Sequence, residues 1–470
     1  MMNNYKDTSF WFDTMDQEPT LRSSLAGDIE ADVAIIGAGY TGLWTAYYLK
    51  SLKPELKIVI LEAEIAGYGA SGRNGGWVAG LIAGLEKYVA PLSMGARRAC
   101  CSMLFNNVDD IGAVLAQEGI DADFNKGGVI YAAARYPEQV KQQQKLLGQL
   151  YEIGHTEDDC YWLNAQQLHE KVRLRNGLGA IYKPHCATVN PVSMVRGLAE
   201  VVEKMGVEIY EKTRALSVQP RKVITEHGTV QASTIIPALE GYSSTVKGFG
   251  RYIIPVQSLM IATEPLCESL WDEIGLNNRE AFSDGSRMVS YGQRSADGRM
   301  IFGARGGYNY GGKPSGKFTL NDAEFRIREV LLFDLFPMLK NVKITHGWGG
   351  ELGMARNFAP HVIYDSKSGI ATAGGYGGQG VAASHLFGRT LADLILNRET
   401  KYTQMPWVFN DSSHRKVLKK WEPEPFRWLT SKVITKVFTW EENMYQAKAG
   451  PSFRKSIVNN VSNTVSLLMR

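Results

Sequence analysis

The chain has 470 residues, 44% hydrophobic and 21% charged, enough to bury a large core and to form two or three interleaved domains. Its 52 basic and 48 acidic residues leave a net charge of +4 with no basic stripe, which argues against a nucleic-acid partner. Five cysteines (Cys100, Cys101, Cys160, Cys186, Cys267) form no CxxC pair, which argues against a disulfide framework and predicts a reducing, cytoplasmic setting. The residues up to Ser23 carry charges and aromatics but no apolar signal core. No apolar run of roughly twenty residues follows, so no transmembrane segment is expected.

In chain order, a strand at Ala31 to Ile36, a helix at Gly42 to Leu52 and a strand at Lys57 to Leu61 open a parallel βαβ unit. Met94 to Gly119 and Pro137 to Gly154 read as helices. Gly128 to Ala133, Val207 to Tyr210 and Met300 to Gly303 read as strands. Asp365 to Asn397 repeats the opening theme: an apolar run, a second glycine turn, then an apolar helix. Beyond Thr400 the Trp- and Pro-rich stretch Trp421 to Trp428 leads into amphipathic helical text that packs on the body. The amphipathic stretch Ser456 to Met469 offers at most a weak membrane contact.

Gly37-Ala38-Gly39-Tyr40-Thr41-Gly42 follows a strand and opens a helix. Glu62, with Ala63 after it, ends the next strand. This is the full context of a dinucleotide fingerprint. Gly37 permits the tight turn, Gly39 lets N–H groups approach a pyrophosphate, Gly42 lets helix and strand close up, and Glu62 accepts from the ribose. A second polar glycine loop, Gly67 to Gly76, brings Ser71, Arg73, Asn74, Gly75 and Gly76, a composition unsuited to a buried crossover. It suits a pyrophosphate and the edge of an isoalloxazine, and so selects FAD over a nicotinamide cofactor.

Asp32 to Gly42, Glu62 and Ala70 to Gly76 together resemble the D-amino-acid oxidase (DAO) family of FAD-dependent oxidoreductases, and within it the γ-glutamylputrescine oxidase-like branch. The resemblance implies an α/β (overall α+β) fold in which a glutathione-reductase-like Rossmann FAD domain is interleaved with an antiparallel-sheet substrate domain. It places the FAD domain at 25–95, 155–245 and 345–400, the substrate domain at 96–154 and 246–344, and a helical tail at 401–470. It also implies that Gly375, Gly377, Gly378, Gln379, Gly380 and Val381 form the C-terminal flavin motif. Covalent attachment in relatives uses a His at the position of Arg73-Asn74 or a Cys before that motif; this chain has neither, so FAD is expected to be non-covalent. The chain departs from the pattern at Glu240, where a small residue or Asn is usual and the acid is expected to point away from the cofactor. Further departures are Asn190 before Pro191, Ala355 and Asn357. No lysine occurs between Lys247 and Lys313, although related oxidases often hold one over the flavin to assist oxygen reduction.

The function expected is hydride transfer from a small primary or secondary amine to flavin N5, giving an imine that hydrolyses, with O2 or another acceptor reoxidising the flavin. One alternative is an amino-acid oxidase or dehydrogenase with an arginine clamp on the carboxylate. Arg305 and Arg356 are the substrate candidates, beside Arg294 and Arg299. The other alternative is a non-catalytic flavin subunit that relays electrons. A disulfide reductase lacks a second Rossmann unit and a redox cysteine pair. The scattered histidines have no metal spacing, so no metal is expected.

Overall fold

A computed structural model describes residues 5–286, 289–316, 318–446 and 461. The expectation for Ser456 to Met469 thus falls almost wholly outside the described residues. The apolar runs of the opening unit pair as expected: Ile29–Ile36 lies parallel to Ile58–Leu61 on one side and to Thr229–Pro237 on the other. Val33 to Ile36 and Ile58 to Leu61 are buried, as strands covered on both faces must be. Glu208–Tyr210 extends this sheet beyond Ile58–Leu61. Ile370–Gly374, His361–Asp365 and Val408–Asn410 extend it beyond Thr229–Pro237. An antiparallel flap, Ala215–Gln219 and Lys222–Thr225, completes nine strands.

Three helices cover one face, and their sequences explain their close packing. Tyr40–Leu52 crosses Gly380–Ile395 at Gly388, where a Cβ would lie 2.8 Å from Trp44 Cβ. Pro191–Lys204 starts at Asn190, whose Oδ1 accepts from the N–H groups of Val192 and Ser193 (3.1 Å each). Asn190 is therefore a helix cap with proline at the first helical position, a job that His does poorly.

The second sheet has eight strands in the order Ile344–Ala355, Ile253–Thr263, Met300–Arg305, Ser290–Arg294, Ala281–Ser283, Val129–Ala132, Gly179–Lys183, Tyr161–Asn164. All neighbours are antiparallel except Ala281–Ser283 with Val129–Ala132. Alternation sorts its side chains. Met300 and Phe302 enter the core beneath the helices Glu268–Ile274 and Ala323–Leu335, while Ile301, Met260 and Trp348 face the other way, toward the first sheet. Each such buried apolar side chain contributes about 1.5–3 kcal/mol.

Some segments lie elsewhere than the expected boundaries. Tyr161–Asn164, Gly179–Lys183 and Ile344–Ala355 pair within the eight-stranded sheet, although the sequence reading grouped them with the dinucleotide unit. The helix Met94–Gln117, grouped with the substrate domain, buries Leu104, Val108 and Ile111 in the core of the nine-stranded sheet. The runs Tyr161–Asn164 and Gly179–Lys183 are too short to name their partners, the glycines of Ile344–Ala355 do not say which sheet it joins, and a helix's apolar stripe does not say which sheet it covers.

The N-terminal arm was read only as lacking a leader, yet it is firmly seated. Phe10, Trp11 and Phe12 are buried beside Trp348; Ser9 Oγ donates to Gly72 O (2.7 Å) and Trp11 Nε1 to Asn74 O (2.9 Å). In the tail, Trp421 Nε1 donates to Met354 O (2.8 Å), and the helix Phe426–Gln446 follows. No helix among the described residues is long and apolar enough to cross a membrane.

Candidate cofactor and active site

Three glycine turns from distant parts of the chain converge on one cavity of about 360 Å³ between the two sheets. The first leaves strand Ile29–Ile36. Gly37 has φ of 105°, a conformation that favours glycine, and a Cβ there would lie 2.8 Å from Ala238 O. A Cβ on Gly39 would press to 2.9 Å on Ser71 Oγ, which accepts from Tyr40 N (2.9 Å). A Cβ on Gly42 would overlap the Gly37 carbonyl, so the turn closes onto its helix only with glycine there. Gly37, Gly39, Tyr40 and Thr41 line the cavity; Gly42 sits behind them.

Glu62 stands across from this turn and lines the cavity with Ala63. Its Oε2 accepts from Ala38 N (2.8 Å) and its Oε1 from Glu64 N (2.9 Å). Burial nonetheless raises its pKa to about 7, against the two N–H groups that favour the charged form.

In the second loop Gly69, Ala70, Ser71 and Asn74 line the cavity, as does Tyr68. Asn74 also staples the loop: its Nδ2 donates to Ser71 O (2.8 Å), and its Oδ1 accepts from Gly76 N (2.8 Å). Arg73 turns away into the protein. Its Nε donates to Tyr68 O (2.8 Å) and its Nη1 to Gly349 O (3.2 Å), while buried Nη2 has no hydrogen-bond partner among the described residues. Gly75 and Gly76 rest against the eight-stranded sheet, where Gln293 Nε2 donates to Gly75 O (2.6 Å).

In the third turn Tyr376, Gly378, Gly380 and Val381 line the cavity; Gly375, Gly377 and Gln379 shape the backbone around them. Gly375, Gly377 and Gly378 have φ of 76°, 60° and 101°. Gly377 N donates to Gly353 O (3.0 Å), and Tyr376 OH meets Thr41 Oγ1 at 2.8 Å, tying the third turn to the first. Helices Tyr40–Leu52 and Gly380–Ile395 thus both present their N-terminal ends at this cavity, where unpaired N–H groups favour negative charge.

Glu240 corrects the sequence reading. It lines the cavity instead of pointing away, and its Oε1 accepts from Tyr376 N (2.9 Å). Burial raises its pKa to about 8. Glu351 lines the wall too, accepting from Ser315 N (2.7 Å), with its pKa raised by burial. Three desolvated carboxyls around one cavity are what a functional site displays. Sequence reasoning missed Tyr68, Tyr242, Ser315, Glu351 and Tyr376, which bear no local signal.

The eight-stranded sheet supplies the cover. Arg305 pairs with Ser258, Ser258 with Gly350, and Met260 with both Gly303 and Trp348, so Ser258, Met260, Arg305 and Gly350 share one face. That face meets the second loop: a Cβ on Gly350 would approach Arg73 Cβ to 3.1 Å, and Tyr291 lies against Gly75. The Ser258 and Tyr291 hydroxyls bond to each other. Arg294, Arg299 and Arg356 are engaged by Glu268 (2.8 Å), Asp297 (2.7 Å) and Glu422 (3.0 Å). Arg356 also stacks on Trp421, at the tail contact; neither Arg356 nor Arg305 is among the cavity-lining residues. Arg305 has no carboxylate partner among the described residues, and burial lowers its pKa.

The chain matches the family described as DAO, FAD dependent oxidoreductase, over residues 32–394. It belongs to the DAO family of FAD-dependent oxidoreductases. A curated relative of this DAO protein is a probable oxidoreductase OrdL of Haemophilus influenzae, 29% identical over 409 residues, covering 84% of this chain and 89% of the relative. Another is the γ-glutamylputrescine oxidoreductase of Escherichia coli, 28% identical, covering 79% and 85%. Among solved structures, glycine oxidase from Geobacillus kaustophilus superposes with a TM-score of 0.66 at 18% identity, covering 82% of this chain and 99% of its own. That likeness shows the two-domain fold. The cavity fits the cofactor of the family: its glycines leave a backbone cradle that Cβ atoms would fill.

Proposed function

We propose that this DAO protein oxidises a small amine with non-covalently bound FAD held by the three glycine turns. In this reading Glu62 accepts hydrogen bonds from the adenosine ribose. The N–H groups from Gly39 to Thr41 and around Ser71 take the pyrophosphate. The start of Gly380–Ile395, with Gly378 and Val381, faces the pyrimidine end of the ring. Bound there, FAD supplies an electron sink for the hydride on the carbon next to the amine nitrogen. The protein's own part is to dock the neutral amine under the sheet, align that C–H bond, and exclude bulk water behind Tyr291, Met260 and Trp348. The imine released hydrolyses in water, and O2 or another acceptor takes the electrons.

The observation that carries this reading is the convergence of two helix N-termini and Glu62 on one cavity beneath the antiparallel sheet. The amine class is supported by the substrate in the name of the E. coli relative. Anaerobic mixing with a panel of amines, polyamines and amino acids tests it: at least one amine bleaches the flavin. If none does, and a hydroxy acid or alcohol does, the amine assignment falls. If nothing does while an electron-transfer partner reduces it, the protein is a relay.

One observation favours a narrower reading. A guanidinium without a carboxylate, on the sheet face that covers the second glycine loop, suits a substrate that brings its own carboxylate. Arg305 is then the anchor for an amine bearing an acid group, and Arg356, engaged with Glu422, is not.

A further inference from the structure

Glu240 is the feature of the cavity that the flavin turns alone do not explain. It follows strand Thr229–Pro237 and opens the short turn Glu240–Thr245 with φ of 42°, a backbone that disfavours a long side chain. Its carbonyl is tied down by Ser243 Oγ (2.6 Å). Its carboxyl group fills a slot between two glycine segments. On one side lies the third turn, where Tyr376 N donates to Oε1 (2.9 Å) and the neighbouring Gly375 N–H also favours the charged form. On the other side lies Gly353, where any Cβ would overlap Oε2 and come within 2.6 Å of Cδ. Oε2 is buried and has no hydrogen-bond partner among the described residues.

The geometry points to Glu240 as a cofactor-positioning residue: its carboxyl group, seated in the space left by Gly353, clasps the Gly374–Gly378 turn in the shape that receives the flavin. The inference rests on the cofactor reading above. The clasp explains why three elements meet there. Gly377 N already bonds to Gly353 O (3.0 Å), and Tyr376 OH to Thr41 (2.8 Å). Glu240 adds to this frame by holding the Tyr376 peptide, next to the Gly377 peptide that strand Ile344–Ala355 holds.

The charge state follows from the surroundings. The slot gives Oε1 the Tyr376 N–H and Oε2 no donor among the described residues, so the neutral acid fits it and ionisation strands a charge. Burial accordingly raises its pKa to about 8. The titratable groups around it are Tyr376, raised further by burial, His361 beneath Gly375, held near 4, and Glu62 and Glu351 across the cavity. Arg214 also lines the cavity but is paired with Glu64 (3.5 Å), so none of these groups brings an uncompensated positive charge to favour ionisation. A diphosphate cofactor brings more negative charge, so FAD binds best to the protonated clasp, and affinity falls as pH rises through 8.

The test uses the full chain stripped of flavin and re-titrated with FAD, followed by flavin fluorescence from pH 6 to 10. Glu240→Gln, neutral and isosteric, stays within about threefold of wild type at pH 7. By pH 10 it binds up to about a hundredfold more tightly than wild type, the limit for one carboxyl titrating near 8. Glu240→Ala loses about tenfold or more at every pH. Glu62 also titrates in this cavity, so the difference between wild type and Glu240→Gln carries the result, not the profile alone. Gly353→Ala weakens FAD in the wild-type background and has a smaller effect in Glu240→Ala, because the overlap with the Glu240 carboxyl is gone and only the approach to Ile253 Cγ2 (2.9 Å) remains. Amide exchange supplies a readout that needs no FAD: residues 374–380 of the apoprotein exchange faster in Glu240→Ala than in wild type or Glu240→Gln. Equal exchange in all three overturns the clasp, as do parallel pH profiles for wild type and Glu240→Gln. A wild-type protein that takes up no FAD overturns the cofactor reading instead, and exchange still decides the clasp.

Discussion

Replacing Glu62 by alanine tests the cofactor site at its most specific point. Each carboxylate oxygen already accepts one backbone N–H, from Ala38 (2.8 Å) and from Glu64 (2.9 Å), and each keeps a lone pair for the cavity. Two ribose hydroxyls donating there make two charge-assisted bonds of about 1.5–3 kcal/mol each. Their loss costs about 3 kcal/mol or more, a rise in Kd of over roughly a hundredfold. The pH corrects this figure in a known direction. With its pKa near 7, half of the apoprotein carboxyls are protonated at pH 7. Ionising them takes about 0.4 kcal/mol from binding, and about 1.4 kcal/mol at pH 6. Wild-type affinity therefore climbs from pH 6 to 8, and that of Glu62→Ala does not. Together with the opposite trend from Glu240, wild-type FAD affinity peaks between pH 7 and 8. The two N–H groups stranded by the substitution lower the melting temperature, which circular dichroism reads separately from flavin content. A folded Glu62→Ala protein that purifies with full FAD at micromolar concentration refutes the assignment.

Other outcomes are equally definite. Acid precipitation releases all the yellow colour into the supernatant; colour left with the pellet shows a covalent bond that no His or Cys among the cavity-lining residues accounts for. Arg305→Met raises KM for amines carrying a carboxylate by about tenfold to a hundredfold and leaves uncharged amines within about threefold, from the loss of one charge-assisted pair. An equal effect on both classes removes Arg305 from substrate binding. Flavin reduction speeds up toward alkaline pH as the bound amine loses its proton, and deuterium on the α-carbon slows it in anaerobic single turnovers; rapid bleaching without an isotope effect counts against C–H cleavage in the slow step. Gly39→Ala pushes Ser71 Oγ off Tyr40 N and empties the protein of FAD while its far-ultraviolet spectrum is kept.

The parts of the site legible in the sequence are those where the backbone itself does the work. A turn that tolerates no Cβ must spell glycine, so Gly37, Gly39, Gly42 and the Gly374–Gly378 turn announce themselves. Glu62 is legible through its spacing, which the βαβ unit fixes. Glu240 was expected to point away because the family pattern has a small residue or Asn there; the slot that holds it, at Gly353, is over a hundred residues away in sequence. Arg305 could be named as a candidate but not separated from Arg294, Arg299 and Arg356, since only the fold shows which of them an acid already holds. The strands Tyr161–Asn164 and Gly179–Lys183 went to the wrong sheet because pairing partners are chosen by long-range register, which short apolar runs do not encode. The N-terminal arm went unread for a related reason: Phe10, Trp11 and Phe12 have no periodicity in so short a stretch.

The strand Ile344–Ala355 is the longest in the eight-stranded sheet, and it ends at the third glycine turn. It acts as a common ruler. Its twelve residues index the sheet above the cavity through their register with Ile253–Thr263, while Leu352 and Gly353 lie in the cavity wall. On the proposed function, a change in side chain at Ser258, Tyr291 or Arg305 would alter what the cover accepts without shifting this ruler, so the distance from substrate to cofactor would be preserved. Insertion or deletion of a single residue within the strand would instead flip its alternation and displace both at once. Substrate choice in this architecture is thus free to drift by substitution, whereas the length of one strand is held fixed.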